Sequence, residues 1–304
     1  MKVFVFVGVV VGVVVLAGGA HGLPVLNMTG FSWAENAAFD NVGNLFVTDS
    51  VQGKVYRIFL NEEGSDYVRA LHLTFKKCNG IVFVPGDDLM YALAVTPDGP
   101  TLVSFSSQVP EQYESVAALP TLGNGLVYDE PSDSFYATTE GNFIPGAGYI
   151  FRILKTGKAY AVVTGLNAPD GAQLLNGQLY VSLVLGAKMF MYDLVDPDHP
   201  RLRCDYNAPD NVVSIDDFCF SRDGTSVIAA DFRGDQVVQF PEACTVPAAT
   251  GPASVVLAPV TSPTSVYLAP SDSTTFNTTV SFITEGGSVV PIVKNRRVLQ
   301  SPPL

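Results

Sequence analysis

Positive charge, histidine and cysteine are all scarce in this chain. Its 304 residues hold 17 Lys and Arg against 29 Asp and Glu, a formal net charge of −12, with three histidines and four cysteines. The acidic balance disfavours nucleic acid and anionic lipid as partners and is compatible with attracting cations. Four cysteines exclude a disulfide-dense scaffold, and in an oxidising compartment they permit three complete pairings. Sustained helical periodicity is missing, as are the leucine-rich, ankyrin and TPR signatures, so solenoids of those types have no support. Beyond the N-terminus no run is long and apolar enough to span a bilayer.

The N-terminus itself reads as a secretory signal. Lys2 precedes an almost unbroken apolar run from Val3 to Leu16, followed by the small residues Ala17 to Ala20 and a cleavage point after Gly22. The run is shorter than the roughly 20 residues a membrane anchor needs. Removal of residues 1–22 predicts a secreted, extracellular protein with no membrane association. The sequons at Asn27 and Asn277, each completed by a threonine two residues on, predict glycosylation.

What dominates the rest is repetition. Six related phrases recur: Trp33-Ala34-Glu35-Asn36-Ala37, Cys78-Asn79-Gly80-Ile81, Gly123-Asn124-Gly125-Leu126, Pro169-Asp170-Gly171-Ala172, Ile215-Asp216-Asp217-Phe218 and Pro263-Thr264-Ser265-Val266. Their key positions, 35, 79, 124, 170, 216 and 264, lie 44, 45, 46, 46 and 48 residues apart. Such a period is the mark of a repeat architecture. The 282 residues after the signal hold six units of 47.

Within each unit, short runs rich in Val, Phe, Tyr, Ile and Leu are cut by Gly, Asp, Asn and Pro, the pattern of strands and turns. The first unit reads as strands over 37–40, 45–49 and 55–58, with a fourth near Tyr67 to Leu73. Four-stranded units repeated six times predict an all-β fold, a six-bladed β-propeller over residues 23–300 with a disordered tail over 301–304. Ring closure is expected from a strand before Asn27-Met28-Thr29 or from Lys294 to Leu299. Cys204 and Cys244, placed in connections between blades, are the expected disulfide, and Cys219 is expected to be a buried thiol. His72 and His199, the two histidines past the signal, are expected at the surface.

In a propeller the residue opening each innermost strand faces the same channel mouth, so Glu35, Asn79, Asn124, Asp170, Asp216 and Thr264 are expected to converge. Carboxylates and amides gathered this way repel one another unless a positive charge sits among them. Hard oxygen donors suit one divalent cation, calcium foremost, with magnesium, manganese or zinc as alternatives. Asn79-Gly80 and Asn124-Gly125 can also be read singly as turn residues. Glu35, a poor turn residue in the same phase, favours the convergent ring.

These phrases resemble the six-bladed SMP-30/gluconolactonase/LRE family, which is related to paraoxonases and strictosidine synthases. The likeness runs over most of residues 30–293. A glutamate opens the family's first blade, as Glu35 does here. Asn124-Gly125 matches a third-blade Asn phrase, Pro169-Asp170-Gly171 a fourth-blade Pro-Asn-Gly phrase, and Asp216-Asp217 a fifth-blade Asp phrase. The resemblance implies Glu35, Asp170 and Asp216 as cation ligands with Asn124 at the cation or substrate. Asn79 and Thr264 join it in lining the substrate site, and Asp216 is the base with Asp217 as the alternative.

It implies metal-assisted hydrolysis of a small lactone or ester, a channel carboxylate taking the proton. The chain departs from the family at Asp170, which replaces an amide and makes the site more anionic. It departs also at Leu122, where a substrate-guiding arginine often stands, and at Gly125 in place of an Asp, which puts sugar lactones in doubt. The strictosidine synthase-like group, a non-hydrolytic alternative, relies on a last-blade glutamate where this chain has Thr264. A secreted binding scaffold with a structural cation is the other reading, the loop Gly141 to Gly148 supplying its partner surface.

Overall fold

The computed structural model describes residues 28–63, 65–242, 244, 253–268, 280–284 and 288–292. The signal segment with Gly22, the sequons at Asn27 and Asn277, Lys294 to Leu299 and the tail 301–304 lie outside them. The described residues form six four-stranded antiparallel sheets and one 3-10 turn, Gly141–Phe143. In five sheets the four strands follow one another in space as in sequence. The sixth borrows Met28–Thr29 as its outer strand, paired with Ser288–Ile292. Closure thus comes from the N-terminal side, by Met28–Thr29 itself.

The innermost strands are Ala34–Phe39, Cys78–Val84, Leu126–Asp129, Pro169–Leu175, Phe218–Phe220 and Pro263–Tyr267. Each packs on the next, and the last packs on the first, so the series closes into a ring. The architecture is an all-β propeller of four-stranded blades. The predicted first-unit strands appear as Ala34–Phe39, Leu45–Asp49, Lys54–Leu60 and Tyr67–Thr74. In the third blade the run Tyr149 to Ile153 belongs to the third strand, Gly148–Leu154, with Ala159–Leu166 outside it.

Strand alternation sends side chains to both faces of each sheet, and the core is divided accordingly among the gaps between neighbouring blades. Leu45, Val47 and Ile58 pack with Val289 of the last blade. Phe46 and Val55, on the opposite face, pack with Ile81, Met90 and Val103 of the second. Burying one such aromatic or aliphatic side chain contributes about 1.5–3 kcal/mol. Cys204 and Cys244 form the expected disulfide, with Cα atoms 5.8 Å apart. Cys204, however, lies within the outer strand Arg201–Asn207 rather than in a connection between blades. Cys219 is a buried thiol as expected, and Cys78 is a second.

His72 corrects a surface expectation. It is buried, its Nε2 2.8 Å from the Ser106 carbonyl oxygen and its ring 5.1 Å from that of Phe46. The next blade's connection covers the outer strand here, with Glu111 N donating to His72 O. Burial holds the imidazole below its usual pKa.

The glycines of the repeated phrase serve close approach rather than turns. A Cβ on Gly80 would lie 2.3 Å from Asn124 O, one on Gly125 2.5 Å from Asp170 O, and one on Gly171 2.3 Å from Asp217 Oδ1. None of the three has a positive φ. Backbones of adjacent blades therefore meet where any side chain would separate them. Gly125→Ala is expected to lower stability by about 1–3 kcal/mol through overpacking. Gly86→Ala, where a Cβ meets nothing within 4 Å, should stay within about 0.5 kcal/mol of wild type. Urea unfolding of the pair checks this.

Candidate functional site

The site is built where the innermost strands begin. In four blades the pairing of first and second strands is interrupted there, between Ala34 and Ala37, Cys78 and Ile81, Pro169 and Ala172, and Pro263 and Ser265. Such a bulge releases residues from the ladder and re-aims their side chains. In the third and fifth blades the ladder starts later, at Leu126 and Phe218, and leaves Asn124 and Asp216 in the equivalent place.

Hydroxyls from second strands fix these positions across the blade gaps. Ser182 Oγ donates to Asp216 O at 2.6 Å while accepting from Gly171 N at 2.9 Å. Thr138 Oγ1 does the same between Asp170 O and Gly125 N. The backbones of Asp170 and Asp216 are thus each held by the blade before them.

Three of the predicted residues come together: Glu35, Asp170 and Asp216 each offer a carboxylate oxygen, all within 4.8 Å of one another. Asn124 joins them, its Nδ2 donating to Glu35 Oε1 at 3.0 Å. The three carboxylates can hold a metal ion, and their chemistry fits a hard divalent cation. Asn124, expected among the ligands, instead turns its amide nitrogen to Glu35 while its Oδ1 accepts from Asn36 Nδ2 at 3.1 Å.

Asn79 and Thr264 occupy the ring but bond between blades. Asn79 Oδ1 accepts from Ser50 Oγ at 2.7 Å and its Nδ2 donates to Gly123 O at 3.1 Å, while Thr264 Oγ1 donates to Ala34 O at 2.8 Å. Asp217 faces the last blade. Its Oδ2 accepts from Ser265 Oγ at 2.6 Å and its Oδ1 from Phe218 N at 2.7 Å.

Two site residues escaped the sequence reading. Glu140, half-buried at the end of the third blade's second strand, accepts from Asn124 Nδ2 at 3.3 Å and lies in hydrogen-bond reach of Asp170. The signal was an acidic residue closing a second strand, as Asp49 and Asp231 do, but those two cap loop backbones. Trp33, the single tryptophan, donates Nε1–H to Glu35 Oε2 at 2.5 Å. It lay within the repeated phrase and was readable only as a strand neighbour.

Without a cation the cluster is electrostatically costly. Burial raises Glu35 from 4.5 to about 7, with the Glu140 charge adding to it and the Asn124 and Trp33 hydrogen bonds opposing it. Asp170 is pushed well above the carboxylate range by burial and then by the Asp216 charge, and Asp216 by burial and then by Glu35. Asp217 rises to about 6 through burial, restrained by its Ser265 and Phe218 bonds.

No family model matches the sequence, and no curated protein matches it. Solved structures resemble its fold. A candidate gluconolactonase superposes with a TM-score of 0.65 at 14% identity, over 88% of this chain and 92% of that one. The PQQ-bound aldose sugar dehydrogenase of Streptomyces coelicolor gives 0.62 at 14%, over 88% and 98%. A chain of a nidogen/laminin complex gives 0.57 at 14%, over 79% and 84%. At such identities the likeness concerns the fold alone.

A carboxyl whose pKa is higher folded than unfolded makes stability fall as pH climbs between the two values. For Glu35 that window runs from 4.5 to about 7. Thermal melts of chelated protein should therefore drop in midpoint across it, and a divalent cation should flatten the decline and change Trp33 emission. Asp170→Asn is expected to stabilise the chelated protein at neutral pH. The same variant should weaken cation binding about tenfold, near 1.4 kcal/mol, in calorimetric titration.

Proposed function

We propose that this protein is a secreted, six-bladed, gluconolactonase-like hydrolase that opens a small lactone or ester with the help of one divalent cation, calcium foremost. The observation that carries the reading is the meeting of Glu35, Asp170 and Asp216 beside Asn124. Glu35 offers mainly one oxygen, since the other accepts from Trp33. Asp170 and Asp216 supply the remaining charge, with their backbones pinned by Thr138 and Ser182.

A cation bound there supplies Lewis acidity towards a carbonyl oxygen and acidifies water. Asp216 takes the proton of the attacking water and returns it to the alkoxy oxygen as the acyl C–O bond to that oxygen breaks, a transfer within reach of a channel carboxylate. Asp217, its oxygens already accepting from Ser265 and Phe218 N, steadies the turn that carries Asp216. Glu140 accepts from Asn124 Nδ2 and helps to keep that amide nitrogen turned towards Glu35.

The binding-scaffold reading draws on a different observation: Asn79 and Thr264 spend their polar atoms between blades rather than on the channel. A nidogen/laminin assembly contains a chain of similar fold. The two readings separate by assay. Hydrolysis of a lactone and aryl-ester panel should require calcium, magnesium, manganese or zinc after chelation, and Asp216→Ala should reduce it by about 100-fold or more. Cation binding with no turnover on any ester or lactone would favour the scaffold.

A further inference from the structure

The connection that begins at Glu140 is built in an uncommon way. Gly141, Asn142 and Phe143 have φ values of 62°, 57° and 58°, three consecutive residues in the left-handed region. For glycine this is free, for asparagine tolerated, and for a bulky aromatic it is strained. Strain of this kind persists where surrounding structure enforces it. Here a Cβ on Gly141 would lie 2.3 Å from the Ala147 carbonyl, so the two limbs of the loop touch. Phe143 N donates to Glu140 O at 3.2 Å, Ile144 N to Gly141 O at 3.1 Å and Ala147 N to Ile144 O at 3.0 Å.

Both ends of the loop are fastened at the ligand set. Glu140 reaches Asn124 and Asp170. At the other end Gly148 abuts Pro169, the residue before Asp170, with a Cβ position 2.2 Å from the proline ring, and Gly146 N donates to Asn167 Oδ1. The crest between them is apolar and unpacked: Phe143 is 52% and Ile144 59% exposed, and Pro145 is exposed beside them. Phe143 lies three residues from Glu140 and Pro145 three from Gly148, and three residues of chain span at most about 11 Å, so the crest is tethered within that reach of two residues that abut the ligand strands.

The polar side chains around the ring are otherwise engaged. Asn36, Asn79, Thr138, Ser182, Thr264 and Ser265 each bond to a neighbouring blade, and Asn36 also donates to Asn124 Oδ1 of the third blade. A site that selects a polyhydroxylated ring must pair its hydroxyls with donors and acceptors of its own, because unpaired polar groups are costly to bury. With the carboxylates assigned to the cation, the apolar crest is what this face offers the rest of a substrate.

We propose that Phe143, Ile144 and Pro145 form the recognition element for the part of the substrate that flanks its carbonyl. The site then takes lactones or esters carrying an extended alkyl chain or aromatic ring, in preference to sugar lactones. This rests on the hydrolase reading above for its chemistry, but it is testable by binding alone.

The full chain, with calcium present, is titrated calorimetrically with non-hydrolysable lactams bearing ethyl, hexyl and decyl chains and with a polyhydroxylated lactam. Affinity should climb about tenfold or more from ethyl to decyl, as partial burial of added methylenes requires, and the polyhydroxylated probe should bind more weakly than the decyl one. Phe143→Ser with Ile144→Ser should lose most of that gain, Ile144→Ser alone should lose part of it, and Val195→Ser, at an exposed valine of the fourth blade, should keep it. A flat series, an undiminished gain in the double variant, or tighter binding of the polyhydroxylated probe would overturn the proposal. Ester turnover is read separately. Chain-length-dependent binding without turnover supports the crest and rejects the hydrolase, whereas turnover with a flat binding series does the reverse.

Discussion

The close approach of backbones where adjacent innermost strands begin is the constraint on which the molecule depends. Gly80, Gly125 and Gly171 bring one blade's chain against the next at distances that leave no room for a side chain. The same contacts carry hydrogen bonds, Gly125 N to Asp170 O and Gly171 N to Asp216 O. Because each glycine follows a ring residue, the contact that joins two blades also fixes where the next ring side chain starts, Asn124 after Gly80, Asp170 after Gly125 and Asp216 after Gly171. Fold and site are consequences of one piece of geometry.

That geometry forces like charges together. Three carboxylates with oxygens within 4.8 Å, and Glu140 beside them, are buried in a ring that offers little positive charge. Lys77, exposed at the start of the second blade, lowers the Glu35 pKa only slightly against burial. Such a cluster has two stable solutions: it binds protons, or it binds a cation that satisfies several oxygens at once. Asp170, standing where the resembled family has an amide, deepens the need for either. Trp33 and Asn124 hold Glu35 in one orientation, which limits the rearrangement that a cation would otherwise have to impose.

Much of this was legible because a propeller writes its period into the chain. The phrase spacing located all six inner strands, and the presence of Glu35, Asp170 and Asp216 at one phase of the repeat located the cluster. What stayed hidden depends on contacts between distant segments. Glu140 looks like Asp49 and Asp231 in sequence, yet those two satisfy loop N–H groups while Glu140 accepts from the side chain of Asn124. Asn79-Gly80 reads as a turn and is a close contact. His72 sits in an outer strand, where exposure is the reasonable expectation, and is buried because the connection from the second blade folds over it. The disulfide partners were legible, but the placement of Cys204 within a strand was not.

The central claim is that the converging carboxylates hold one divalent cation. Its most direct test is calorimetric titration of calcium into chelated protein, run in two buffers of different ionisation enthalpy so that proton release is counted with stoichiometry. One calcium per chain, bound with displacement of protons from the cluster and lost when Glu35, Asp170 and Asp216 are together replaced by their amides, is the predicted result. Undiminished binding in the triple-amide protein, or no binding by the native one, would contradict the account.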